Sequence, residues 1–78
     1  MIYCRLKSKT EKSASYSIGA RTDDITGEIM IINNGQEYEI IKEPEKEVVY
    51  PHFINKMIVK YMNQFAEGKY PEKMSYEI

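Results

Sequence analysis

The segment PHFINKMIVKYMNQFAEGKYP, residues 51–71, is the one stretch of this 78-residue chain with helical periodicity. Phe53, Ile54, Met57, Ile58, Tyr61, Met62 and Phe65 recur at the spacing of a single apolar stripe, while Asn55, Lys56, Lys60, Asn63, Gln64 and Glu67 fill the opposite side. Pro51 suits a first helical turn, where its missing N–H would have had no partner, and it steers Tyr50 towards extended geometry. Gly68 fits a C-terminal cap, Lys69 suits the negative end of the helix dipole, and Pro71 blocks continuation. The spacing predicts a helix from Pro51 to Glu67.

Upstream, the period switches to two. Ile2, Cys4 and Leu6 alternate with Tyr3, Arg5 and Lys7, the pattern of a half-buried strand. Ser8 to Ser13 is polar and aperiodic, a loop. Ala14, Tyr16, Ile18 and Ala20 then alternate with Ser15, Ser17, Gly19 and Arg21, and Gly19 inside that strand predicts a bulge or a close backbone approach. Asp23-Asp24-Ile25-Thr26-Gly27 reads as a tight hairpin turn with Gly27 at positive φ, returning into a strand from Glu28 to Asn33. Asn33-Asn34-Gly35-Gln36 is a second turn around an Asn-Gly pair, with Gly35 at positive φ. A strand from Glu37 to Lys42 follows, with Tyr38 and Ile40 on one face and Ile41 on the other. Glu43-Pro44-Glu45 ends it, and the chain runs on as an extended connector to Tyr50. Met74, Tyr76 and Ile78 alternate with Ser75 and Glu77, a short last strand.

These elements predict a single α+β domain over residues 1–78: a mainly antiparallel β-meander of about four strands plus a short C-terminal strand, with one amphipathic helix packed on one face. A chain this short buries only about 60% of its unfolded surface, so small folds are commonly stapled by disulfides, a metal or oligomerisation. Cys4 and His52 are each the only residue of their type, which leaves no internal disulfide and no zinc-ligand set. Oligomerisation or an unusually good core remains.

Enzyme chemistry finds no foothold in the motifs. Cys4 sits on the apolar side of its strand, where a free cysteine behaves as a small hydrophobe, and His52 reads as a surface or capping residue at the helix start. Glu43, Glu45 and Glu47 lack the turn glycine and terminal bidentate Glu of a calcium loop, and Asp23-Asp24 with Glu28 is too short for one. No phosphate loop, nucleophile elbow or dinucleotide fingerprint is present, so neither a catalytic residue nor a cofactor is expected. The longest apolar run, Ile29-Met30-Ile31-Ile32, is far short of a membrane span or a signal-peptide core, and a lone cysteine without an export signal fits a reducing cytoplasm.

Net charge is −1, which gives no global attraction to nucleic acid or anionic membrane. Its distribution is uneven: Arg5, Lys7, Lys9, Lys12 and Arg21 face only Glu11 in the first part. Asp23, Asp24, Glu28, Glu37, Glu39, Glu43, Glu45 and Glu47 face only Lys42 and Lys46 in the middle. The third strand is apolar on both sides, Ile29 and Ile31 pointing one way and Met30 and Ile32 the other, and a single helix covers one face. The expected function is therefore a protein-interaction or accessory module acting through self-association. The expected assembly is a two-fold homodimer on the sheet face away from the helix, with Met30, Ile32, Tyr38 and Ile41 as interface residues and with the choice between the Met30/Ile32 and Ile29/Ile31 pairs left open by the sequence; another protein is the alternative partner. A second reading, opposed by the acidic middle section, is a weak single-stranded nucleic-acid binder using the basic and aromatic residues Tyr3, Arg5, Lys7 and Arg21.

Overall fold

The computed structural model describes residues 1–77. Strands β1 (Ile2–Lys9), β2 (Ala14–Gly19), β3 (Gly27–Ile32) and β4 (Glu37–Lys42) form the meander, helix α1 (Pro51–Ala66) follows, and β5 (Lys73–Tyr76) closes the chain. The sheet has five strands in the order β4-β3-β2-β1-β5, and every neighbouring pair is antiparallel. β4 and β5 therefore run in the same direction at opposite edges, so the chain must cross the whole sheet between them. α1 makes that crossing. Ile78, the last apolar residue of the alternating C-terminal pattern, lies outside the described residues.

Alternation decides what is buried. Ile2 and Cys4 of β1, Ala14, Tyr16 and Ile18 of β2, Ile29 and Ile31 of β3, and Met74 of β5 all face α1. From the helix, Ile54, Met57, Ile58 and Phe65 complete the core, with Phe53, Tyr61 and Met62 half-buried along its margin. The stripe read from the 3.6-residue period is the packed side. Tyr16 is buried at the sheet centre, and its hydroxyl donates 2.8 Å to the Pro71 carbonyl, so the one polar atom of that ring is satisfied.

β1 runs further than its sequence pattern suggests. A bulge between Leu6 and Ser8 absorbs one residue, and Ser8 and Lys9 continue the pairing with Ser15 and Ala14. The polar loop shrinks to a turn closed by the Thr10 N–H donating 2.8 Å to the Ser13 carbonyl.

Two turns differ from expectation. Gly35 does have positive φ (91°), but so do Asn33 and Asn34 (57° and 55°), making a longer left-handed turn than a two-residue Asn-Gly hairpin. Asn34 explains the length: its amide donates 3.0 Å to the Phe65 carbonyl, and a Cβ on Gly35 would stand 2.7 Å from the Phe65 ring. The turn is moulded to the end of α1. Gly27 is not at positive φ; it is the first residue of β3, opposite Ile18. Glycine is needed there because the Lys42 carbonyl and Pro44 nitrogen each lie 2.8 Å from where its Cβ would be.

The expected tight hairpin over Asp23–Gly27 is instead a wide loop, because Asp24 turns inwards. It is 1% exposed and accepts hydrogen bonds from the Thr26 hydroxyl (2.8 Å) and the backbone N–H groups of Lys46 (2.8 Å) and Glu47 (3.2 Å). Thr26 in turn accepts the Glu45 N–H at 2.9 Å. Burial works to raise the Asp24 pKa, but the hydrogen bonds from Thr26, Lys46 and Glu47 and the nearby Lys46 charge outweigh it and hold the carboxyl below its ordinary value.

Phe65→Ala is expected to cost about 3–5 kcal/mol in denaturant unfolding, since the ring is fully buried between Gly35 and the sheet. Because the folded pKa of Asp24 lies below the unfolded value of about 3.9, its contribution is full above that pH and fades as pH falls through the folded value. The stability gap between the native chain and Asp24→Asn should therefore be widest near neutral pH and shrink in acid. A gap that does not change with pH would show that the charge is not what holds the loop.

Candidate functional site

The sheet face away from α1 is where the sequence placed both of its functional readings. Cross-strand pairing puts Tyr3 and Arg5 of β1 on it beside Lys73 and Ser75 of β5, Ser15 and Ser17 of β2, and Glu28, Met30 and Ile32 of β3. Glu37 and Glu39 of β4 complete it. Its aliphatic content is small: Met30 and Ile32 are half-buried among serines and carboxylates.

The four expected interface residues do not share this face. Tyr38 pairs with Ile31 and packs on the helix side against the core, whereas Met30 and Ile32 point away. Ile41 falls at a bulge where Ile40 pairs with Ile29 and Lys42 with Glu28; it is 49% exposed. What the four share is a place, the β3–β4 side of the sheet.

That side ends in an open edge, unlike the other. At the β5 edge the Ser75 N–H donates 3.1 Å to the Tyr61 hydroxyl, and the Ser75 carbonyl accepts the Lys60 ammonium at 2.9 Å and the Tyr61 hydroxyl at 3.4 Å. Helix side chains thus occupy backbone groups that a further strand would need. At β4 no such guard is present among the described residues.

The four residues of the basic reading divide in the same manner. Tyr3 and Arg5 share the outer face, but Lys7 is spent on Glu28 at 2.7 Å. Arg21 lies in the β2–β3 loop and grips both oxygens of Asp23, at 3.0 and 3.3 Å. The hydrogen bond from Lys7, against burial, holds the Glu28 pKa below its ordinary value, and the hydrogen bond from Arg21 does the same for Asp23. A continuous basic track is not formed.

A groove of about 250 Å³ is formed, lined by Tyr3, Arg5, Thr22, Ile25, Lys73 and Ser75 together with Cys4 and Met74. Lys73 and Ser75 were not singled out by sequence; their alternation marks a polar strand face, but nothing local says that β5 docks beside β1. Thr22 and Ile25 reach the groove because the β2–β3 loop folds down, with the Asp24 carbonyl lying where a Cβ on Gly19 would stand. The close approach expected at Gly19 is real.

Cys4 and His52 are not brought together. Cys4 is buried in the core with its thiol 3.7 Å from the Met57 sulfur, while His52 is exposed at the first turn of α1 with its ring 4.0 Å from that of Phe53. Among the described residues no group of three or more His, Cys, Asp or Glu is placed to hold a metal ion, and no helix is long and apolar enough to cross a membrane. Glu43, Glu45 and Glu47 remain exposed on the connector.

Comparison with protein-family models, curated proteins and solved structures gives no match. The residues themselves must carry any functional reading.

Burial pushes the Cys4 thiol up to about 12, so almost none of it is thiolate at neutral pH. A disulfide-exchange reagent should leave native Cys4 unmodified on a timescale in which the unfolded chain reacts fully. Fast stoichiometric labelling of the native protein would contradict the packing of β1 against α1.

Proposed function

We propose that this chain is a protein-interaction module that self-associates through the outer edge of β4, extending its sheet into that of a second copy. The observation that carries this reading is the contrast between the sheet's edges: Tyr61 and Lys60 guard β5, while β4 has no such cover among the described residues. An unpaired strand edge is a template for another strand.

The order of residues along β4 supports pairing with itself. Glu37 opposes Ile32 and Lys42 opposes Glu28 within the chain, so both lie on the face away from α1, although an odd number of steps along a regular strand would separate their faces. The bulge at Ile41 makes the difference. In an antiparallel two-fold pairing, Glu37 of one chain then comes opposite Lys42 of the other, and Tyr38 opposite the Ile40–Ile41 step on the helix side. Met30 and Ile32 flank this contact on β3. Glu39 meets its own copy near the axis, which opposes association and fits a reversible dimer rather than a permanent one.

Sedimentation or light scattering over a concentration series tests this. Glu37→Lys and Lys42→Glu should each weaken the dimer, since opposite-charge pairs on adjacent strands contribute about 0.2–1 kcal/mol and each substitution replaces two symmetry-related pairs by repulsion. Combining both substitutions in one chain should restore it, and Glu39→Gln should tighten it. A folded monomer at every accessible concentration, or a double variant no better than the singles, overturns the reading.

A further inference from the structure

Arg5 and Lys73 are directly opposed across β1 and β5, on the sheet face away from α1. Side chains so paired start about 4.5–5.5 Å apart at Cβ, and like charges in that position repel. Four cations are held at ion-pair distance, Lys7 by Glu28, Arg21 and Lys46 by Asp23, and Lys69 by Glu67. Lys9, Lys12, Lys42, Lys56 and Lys60, like Arg5 and Lys73, have no such partner among the described residues, and what sets Arg5 and Lys73 apart is that they oppose each other on adjacent strands. No carboxylate of the described residues comes within 4.0 Å of Arg5 or Lys73. Acidic residues outnumber basic ones in this chain, 12 to 11, yet none lines the groove that holds this pair.

The rest of the groove is matched to what two adjacent cations would bind. Thr22 and Ser75 add hydroxyls to the wall, and Tyr3 and Ile25 add an aromatic and an aliphatic surface beside them. We propose that this groove is a binding site for a small organic phosphate monoester. The dianion would sit between the Arg5 guanidinium and the Lys73 ammonium, and a flat or apolar organic group would rest on Tyr3 and Ile25. A phosphoryl group offers several acceptor oxygens and a charge near −2, which answers two cations and a hydroxyl wall better than a monoanion does. The volume, about 250 Å³, lies below the roughly 300–1,000 Å³ of pockets for drug-sized ligands and so favours a small molecule. A nucleic-acid strand would need cations continuing beyond the groove; Lys7 and Arg21 are already paired, and Glu28 lies beside the path. The site is independent of the β4 edge, which lies across β2 and β3 from it.

Backbone amide NMR titrations in phosphate-free buffer test the site, with phenyl phosphate, inorganic phosphate and a short single-stranded oligonucleotide as probes. Phenyl phosphate should give saturable shifts centred on Tyr3, Arg5, Thr22, Ile25, Lys73 and Ser75. Arg5→Gln and Lys73→Gln, both at exposed positions, should each weaken binding about tenfold while the spectra stay dispersed, as expected for loss of a charge-assisted hydrogen bond. Lys7→Gln should leave the affinity unchanged. Inorganic phosphate binding as tightly as phenyl phosphate would overturn the organic half of the assignment. Tighter binding of the oligonucleotide would replace the small ligand by a strand, and absence of saturation, or equal sensitivity to Lys7→Gln, would remove the site altogether.

Discussion

A single buried carboxylate organises the long connections of this fold. Asp24 leaves the β2–β3 loop, turns inwards, and captures backbone N–H groups of Lys46 and Glu47 on the segment that leads from β4 to α1. That segment has no secondary structure of its own, and besides this capture its direction is set by the Glu45 N–H bonded to Thr26, by Pro44, buried against Gly27, and by Val49 in the core. The same inward turn presses the loop onto Gly19 and lowers Thr22 and Ile25 towards β1 and β5. One group therefore aims the helix over one face of the sheet and builds a wall on the other. A buried charge is tolerated only with hydrogen bonds to satisfy it, and here Thr26 and two amides supply them.

Much of this architecture was legible in the residues, for reasons that are local. The stripe from Phe53 to Phe65 and the alternation in β1, β2 and β4 depend only on neighbours along the chain, and these elements stand where periodicity put them. Gly35 was readable because positive φ is a property of one residue. Gly27 was misread because glycine serves two purposes: a turn and a close approach look the same in sequence, and only the fold brings the Lys42 carbonyl and Pro44 against it. Asp24 failed for a related reason. An aspartate in a run of turn formers is naturally taken as bonding to its own turn, yet its main-chain partners lie more than 20 residues away.

The functional surface was less legible, because it is assembled across strands. Tyr3 and Arg5 were placed correctly on one face, but strand order decides that Lys73 and Ser75 stand next to them. Whether a cation is free is likewise a tertiary fact: Lys7 and Arg5 share one strand and one charge, and Glu28 reaches only Lys7. Tyr38 shows the converse error. Its side of β4 was readable from alternation with Ile40, and grouping it with Met30 and Ile32 mixed two faces that only an edge can unite.

The hydroxyl of Tyr61 on Ser75 has a consequence for how large an assembly can grow. A sheet with two bare borders can add copies on both sides without limit, and the product is a fibre. A sheet with one border taken up by its own helix has a valence of one, so pairing consumes the last free border and stops at two. Loosening the C-terminal strand from Tyr61 and Lys60 would raise that valence, and the same chain would then have the connectivity of a monomer for polymerisation rather than of half a pair.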